Sequence, residues 1–427
     1  MEVKPGYKQT EIGCLPNDWQ VRRVGDLGRV VRGSSPRPAG DPKFFNGSYI
    51  PWLTVAALTT ISENQTTVES TESQLTELGA SYSRTLEPGT LIIANSGATL
   101  GVAKLLGFRC CANDGIAALV QQRCGHLPFI AYFINSQTQR LRQVVATGNG
   151  QPNLNTILIS DILVPFPAES EQQAIAQALS DIDDSIQSLE RLIAKKRDLK
   201  QAAMQQLLTG KTRLPGFSGE WPGRIFADLF VFSGGFSASR EQLSHVGHCY
   251  LHYGDIHTTA RTCIDLRTDA DSIPRLNVAL GQVASASLLA DGDVVFVDAS
   301  EDVDGTSRHV VVANPEGIPF ISGLHTIVAK SKDGSLDREY KRFCFQAEAI
   351  KRQFRFYAVG TKVSGVSKTN IARMSVRVPS LPEQKAIAEA LSDMDAEIDA
   401  LEARLTKTRD LKQGMMQELL TGRTRLV

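Results

Sequence analysis

No stretch of this 427-residue sequence approaches the ~20 apolar residues that a membrane-spanning helix needs. Its opening, MEVKPGYKQTEIG, lacks an apolar signal core, so a cytoplasmic location is expected rather than secretion. The seven cysteines include no C-x-x-C pair and no even-spaced framework, which argues against a disulfide scaffold and fits a reducing compartment. Adjacent Cys110 and Cys111 are expected to be buried thiols. A charge of one sign is also missing. The 46 basic residues balance 46 acidic ones, so any nucleic-acid binding must come from local patches or from a partner.

Catalytic signatures are equally scarce. Gly210-Lys211-Thr212 has the look of a phosphate-loop tail, but position 205 is Gln where that loop needs Gly, and a helical pattern precedes it in place of a strand. There is no G-x-G-x-x-G after a strand, no G-x-S-x-G and no Asn-Pro-Pro-aromatic motif. His245, His248, His252 and His257 surround Cys249 without the spacing of a zinc site, so no metal is expected. Asp291, Asp293, Asp298, Glu301, Asp302 and Asp304 flank a strand-like run. No lysine stands two residues beyond a carboxylate there, and they read as turns and strand ends rather than a nuclease centre. Hydrophobic residues at 42% and charged residues at 22% describe an ordinary globular chain and exclude disorder.

What the sequence does contain is itself, twice. Glu171–Leu214 and Glu383–Leu426 align without gaps at an offset of 212, with 28 identities in 44 positions. Fainter echoes precede each copy. Trp19 with Gly25-Asp26-Leu27 matches Trp221 with Ala227-Asp228-Leu229, and Tyr49–Trp52 matches Tyr250–Tyr253. Pro88–Asn95 (PGTLIIAN) matches Asp291–Asp298 (DGDVVFVD), and Gly148–Pro167 matches Gly360–Pro379. The pattern is globular region, helix, globular region, helix. One job is shared by both halves and another differs between them.

The repeated segments read as long helices. Ile175, Leu179, Ile182, Ile186, Leu189 and Ile193 step by 4-3-4-3-4, and Ile387, Leu391, Met394, Ile398, Leu401 and Leu405 repeat those steps, the seam of a coiled coil. Beyond it the apolar residues shift to steps of four at Leu199, Ala203, Leu207 and Leu411, Met415, Leu419, which reads as a register slip near Lys196 and Thr408. Pro167 and Pro382 stand just before the predicted helices, and Gly210 and Gly422 stand where left-handed caps belong. Each helix is thus about 38 residues, or roughly 57 Å. Glu171–Glu190 holds five acids and no base, whereas Arg191–Arg213 holds seven bases and one acid. The second copy divides likewise, with seven acids and one base in Glu383–Glu402, then six bases and two acids in Arg404–Arg425. Only antiparallel pairing sets acid beside base, so an antiparallel pair is predicted. Such a pair relates the two globular regions by a pseudo-twofold and can act as a ruler between two reading heads on DNA, whose turn is about 34 Å.

The globular regions mix short β-rich runs (TLIIAN, IAALVQQ, DVVFVD, HTIVAKS) with helical stretches near Phe129–Val145 and Arg338–Phe354, so the fold class is α+β. Polar and basic clusters fall at matching places in both halves. In the first these supply Arg32, Ser34, Ser35, Arg37, Ser96, Thr99, Asn149, Gln151 and Asn153; in the second, Ser233, Arg240, Arg308, His309, Lys362, Ser364 and Lys368. Such side chains read base edges, and Lys and Arg also find phosphates, which makes these the candidate DNA-binding residues. The twelve seam residues named above are the candidate helix and partner contacts.

Two openings resemble the specificity subunit of type I restriction–modification enzymes. One is Tyr7–Gly13 (YKQTEIG) followed by Leu15–Trp19 (LPNDW) and Gly25–Leu27; the other is Thr209–Leu214 (TGKTRL) followed by Gly216–Trp221 (GFSGEW). Pro165-Phe166-Pro167 before Glu171-Gln172, and Val378-Pro379 before Pro382-Glu383-Gln384, complete the likeness over essentially the whole chain. Ala227 and Phe230 depart from the glycines at 25 and 28, so the second opening can differ in detail. The resemblance implies two target recognition domains, 1–167 and 214–379, with helical spacers at 168–213 and 380–427. Each domain would read half of a bipartite, interrupted sequence in double-stranded DNA. The helices would dock two methyltransferase subunits that methylate adenine with S-adenosylmethionine, and ATP-dependent restriction subunits would join them. The chain itself would be non-catalytic and carry no cofactor or metal. The alternatives are a stand-alone bipartite DNA-binding or coiled-coil adaptor protein, or a chain with methyltransferase or nuclease activity of its own.

Overall fold

The computed structural model describes residues 4–146, 152–259, 261–301, 304–360 and 363–426. The chain divides into two compact units, one made of Met1–Leu192 with Leu401–Val427 and the other of Ile193–Ala400. Each unit carries a five-stranded sheet. In the first unit β1 (Arg29–Arg32), β2 (Thr67–Val68), β3 (Leu91–Ala94), β4 (Ala103–Leu106) and β5 (Ile116–Val120) lie in the order β1-β5-β3-β4-β2. In the second, β6 (Phe230–Gly234), β7 (Cys263–Asp265), β8 (Val294–Val297), β9 (His309–Ala313) and β10 (Thr326–Ser331) lie in the order β6-β10-β8-β9-β7. Read along the chain, these are one and the same strand order, and only the β2–β4 and β7–β9 pairs are parallel.

Each sheet is covered on both faces, which is why its central strands are continuous apolar runs. Leu91, Ile93, Ala117 and Leu119 join Phe129, Ile130 and Ile134 of the helix Leu127–Ser136 in one core. Ile92, Ala94, Ile116 and Ala118, on the opposite face, pack with Leu53, Leu58 and Cys110 beneath a four-stranded sheet. The second unit repeats the division. Val294, Phe296, Val311 and Ile327 join Phe343 and Phe354, while Val295, Val297, Val310 and Val328 join Cys249, Leu251 and Phe320. Cys110 and Cys111 are buried as expected, and burial pushes the Cys110 thiol up to about 12. The stretch predicted helical over 129–145 bends after Ser136, continuing as a short turn and a five-residue π-turn at Leu141–Val145. The one predicted over 338–354 is two helices, Arg338–Cys344 and Glu348–Tyr357. In each unit the strand just ahead of the five-stranded sheet pairs antiparallel with the strand that leads into the long helix, Gln20–Arg23 with Leu163–Phe166 and Gly223–Ile225 with Ser375–Arg377. The departure at 230 has a structural reason. Gly28 leaves no room for a Cβ, which would stand 2.9 Å from the Val120 carbonyl, whereas Phe230 fills an aromatic core with Phe226 and Phe345.

The long helices are α1 (Glu169–Leu207) and α2 (Leu381–Leu419), of 39 residues each. Pro382 lies inside the first turn of α2 rather than before it, a position that needs no N–H donor. Gly210 and Gly422 take φ of +69° and +66°, the left-handed caps expected of them. The predicted seam is inward-facing: Ile175, Leu179, Ile182, Ile186, Leu189, Ile193, Ile387, Leu391, Ile398 and Leu405 are buried, and Met394 and Leu401 half-buried.

The register slip does not occur. Leu199 and Leu411 are exposed, and the inward positions after Ile193 are Lys196, Lys200, Ala203 and Leu207; after Leu405 they are Thr408, Lys412, Met415 and Leu419. The 3-4 spacing therefore continues to the end of each helix. A scan for apolar residues misses this because lysine occupies the seam, laying its aliphatic stem inward and carrying its ammonium to a partner.

Candidate nucleic-acid interface

In the first unit, Lys412 of α2 meets Asp183 of α1 at 2.6 Å, and Arg409 meets Glu190 at 2.7 Å. In the second unit, Lys196 of α1 meets Glu397 of α2 at 2.6 Å, and Lys200 meets Asp395. Partner numbers fall on one helix as they rise on the other, so within each unit the helices pair antiparallel, acid against base. Polar residues at seam positions of this kind fix register.

Past its glycine cap, each repeat sends an arginine to the first turn of the other helix. In the first unit the buried Glu171 carboxylate accepts from Trp19 Nε1 at 3.1 Å and from Arg425 Nη2 at 2.8 Å, and Asp18 takes the other side of that guanidinium at 2.7 and 3.0 Å. The second unit repeats the clasp, with Glu383 accepting from Trp221 Nε1 at 3.1 Å and from Arg213 Nη2 at 2.6 Å. Each guanidinium also lies over its tryptophan ring, at 5.6 and 5.4 Å. These hydrogen bonds hold the Arg425 and Arg213 pKa values above the usual arginine range, and Arg425 holds Asp18 below the usual carboxylate range. Gly422 is required twice over, by its positive φ and because a Cβ would stand 2.6 Å from Pro16 Cγ. Composition alone gives no hint of the clasps. Glu171, Arg213 and their counterparts are identical between the copies, but so are Gln172, Thr212 and Leu214 beside them, so identity alone does not single them out.

The polar loops gather at one end of each five-stranded sheet. In the first unit they meet around Asp114, in the turn before β5. Ser35 Oγ donates to its carboxylate at 2.7 Å, Arg37 Nη2 lies 3.6 Å from the other oxygen, and Arg32 Nε and Asn95 Nδ2 donate to its carbonyl. Leu154 N donates to Asn95 O at 2.9 Å, which brings Asn153 to the same end. Ser96 and Thr99 follow β3 and are half-buried, and Ser34 is engaged with Tyr82 O at 3.1 Å. Among the described residues, Asn95 Oδ1, Asn113 Oδ1 and Thr99 Oγ1 are buried without a partner.

The second unit builds the same end from other residues. Val366 N donates to Asp298 O at 2.8 Å, the counterpart of the Leu154–Asn95 bond, and brings Ser364 and Lys368 there. Lys368 is exposed and opens a short helix, with its Nζ beside Gly234 at the end of β6, where Ser233 donates to Ala286 O. Arg308 precedes β9 and donates to His257 O, while Arg240 is held by Asp255 at 2.9 Å.

Two candidates are not surface groups. Ser364 is buried in a short antiparallel pairing with Ser300. His309 faces the core within β9, against Phe296 and Phe345, and burial lowers its pKa to about 4. The basic-looking run Thr306–His309 hid the strand start, where the side chain turns inward. Asn149, Gln151 and Lys362 lie outside the described residues. Asp114, Asp298 and His325, which organise the two sheet ends, had no motif to mark them.

Among the described residues no group of three His, Cys, Asp or Glu side chains could hold a metal. Two of the four histidines near Cys249 are engaged with backbone: His252 Nδ1 accepts from Gly254 N at 3.0 Å, and His257 Nε2 bonds Ala299 O at 3.2 Å. No described helix is long and apolar enough to cross a membrane.

Known proteins agree with this organisation. The family model described as the type I restriction modification DNA specificity domain matches residues 16–195 and 304–408. The MjaVIII specificity subunit of Methanocaldococcus jannaschii is 23% identical, over 98% of this chain and 96% of its own. The EcoKI specificity subunit of Escherichia coli K12 is 20% identical, over 96% and 90%. Among solved structures, the S subunit of the type I system of M. genitalium shares the fold with a TM-score of 0.57 at 13% identity, covering 98% of each chain. A chain solved in a study of type I R-M complex assembly gives a TM-score of 0.58 at 15% identity, covering 96% of this chain and 99% of that one. With two matched segments that together span most of its length, one strand order built twice, and a long helix following each, the chain belongs to the type I restriction–modification specificity family.

Proposed function

We propose that this chain reads a bipartite, interrupted DNA sequence and directs methyltransferase and restriction subunits to it, without performing chemistry itself. The observation that carries this reading is the pair of sheet ends, which share one strand order and present different polar side chains. A shared scaffold with different contacts is what two unlike half-sites require, since base readout depends on the donor and acceptor pattern of individual side chains. Arg37, Arg32 and Ser35 in the first domain, and Arg308, Lys368 and Ser233 in the second, are the leading contacts on DNA. Repeating the helices more faithfully than the domains suits meeting the same partner twice, so α1 and α2 dock two modification subunits and set the spacing between half-sites. The equal numbers of acidic and basic residues leave part of the DNA clamp to those partners.

The test is to assemble the chain with its modification subunits and map the methylated sites on a random-sequence library. A single two-part motif with a fixed gap is expected, and shortening α1 and α2 by one heptad each should change the gap but neither half-site. Absence of a complex, or methylation without a two-part motif, overturns the reading, as does S-adenosylmethionine binding or DNA cleavage by the purified chain alone.

A further inference from the structure

The second sheet end holds an acid where DNA is expected, and that is costly unless the acid has a purpose. Asp298 follows β8, and its carboxylate is a third exposed. One oxygen lies 3.2 Å from His325 Nδ1, and the other has no partner among the described residues. The pair opens onto a cleft of about 380 Å³, which Val359, Val366, Ser367 and Asn370 also line. His325 is held at a φ of +59°, a left-handed conformation that non-glycine residues rarely adopt, and its ring stands edge-on to Tyr253 at 5.4 Å. The first unit has no such pair. The residue in the place of His325 is Gly115, where a Cβ would stand 2.5 Å from Val55 Cγ2, and the residue in the place of Asp298 is Asn95, which is buried and turned to the Asp114 carbonyl.

Resting on the function proposed above, we propose that Asp298, positioned by His325, is a specificity-determining residue of the second domain that accepts a hydrogen bond from the exocyclic amine of a cytosine in the major groove. A carboxylate offers only acceptors and is repelled by phosphates, so among groove contacts it gains from an amine donor. Cytosine presents N4–H2 with no acceptor beside it on the same base, whereas adenine sets its N7 acceptor next to N6–H2 and suits an amide side chain better. Arg308 and Lys368 at the same end offset the repulsion from the backbone.

The experiment uses the full chain with its modification subunits and reads the bound and methylated motif for wild type, Asp298→Asn and His325→Ala. The expected result is loss of cytosine preference at one motif position, by roughly 5- to 150-fold, the range of a good base contact. Asp298→Asn should shift that position toward adenine, and His325→Ala should weaken the same position. A motif unchanged at every position overturns the assignment. So does loss of affinity spread evenly over all sequences by a variant that unfolds at the wild-type temperature, because that marks a contact with no base readout. A wild-type complex that selects no two-part motif overturns the function proposed above, a result distinct from either of these.

Discussion

Asp183 and Asp395 occupy the same place in the two copies of the helix, and Lys412 and Lys200 answer them, yet the two pairs live in different surroundings. The Asp183 side chain is 4% exposed and that of Lys412 14%; the Asp395 and Lys200 side chains are 29% and 20% exposed. The domain beneath makes the difference. In the first unit Tyr132 donates to Asp183 at 2.8 Å, Asn64 accepts from Lys412 at 2.9 Å, and the buried Lys104 donates to carbonyls of Ser62–Gln65. Burial raises the Asp183 pKa against the pull of Lys412 and Tyr132, and lowers that of Lys104 to about 8. In the second unit Phe343 stands under the helix, with the Lys200 ammonium 5.6 Å from its ring centre. One helical sequence thus meets a buried polar network in one unit and an aromatic face in the other. Repetition of sequence does not imply repetition of energetics.

That contrast can be broken or sharpened by mutation. The largest effect expected is from Lys412→Ala, which strands a buried carboxylate and should destabilise the first unit by about 3–5 kcal/mol, whereas Lys200→Ala should cost about 1 kcal/mol or less. Hydrogen-exchange protection along 169–192 and 193–207, compared in the two variants, measures both, and equal losses would erase the distinction. Next comes Arg425→Ala, which leaves Glu171 with Trp19 as its remaining clasp partner and should cost about 3 kcal/mol. Arg213→Ala should lower protection around Glu383 in the same direction.

A smaller effect than that of Lys412 or Arg425, and one conditional on pH, belongs to His309, whose place in the first unit is taken by Ala103. Its folded pKa of about 4 lies below the unfolded value of about 6.5, so the unfolded chain takes up the proton first as pH falls. The stability this group contributes is complete above pH 6.5 and is lost between about pH 6.5 and 4, reaching about 2.5 kcal/mol at pH 4.5. Urea unfolding of wild type and His309→Gln at pH 7 and 4.5 should show an acid-linked loss larger in wild type by about 2.5 kcal/mol.

Much of this architecture was legible in the chain. The repeat, the seam and the split of charge led to paired antiparallel helices because those signals are periodic and local. The strand runs at 91–94 and 294–297 were readable because both faces of each sheet are covered. Lys196 and Lys200 were not, because an apolar scan discards a residue whose stem is buried and whose charge is paired. At the sheet ends the loops were found as segments, but which side chains face outward depends on strand starts. His309 turns inward for that reason, while Asp298 reads as a strand-end acid and His325 as the start of the β-rich run HTIVAKS.

The first unit is discontinuous in sequence, and this dictates an order of events during synthesis. Ile193–Ala400 is one uninterrupted stretch, whereas Met1–Leu192 closes only with Leu401–Val427. As the ribosome works, Glu171 emerges long before Arg425 exists to neutralise it, and Asp183 waits as long for Lys412. The half made first is therefore the half finished last, so a message truncated near its end leaves the later half intact and the earlier one open.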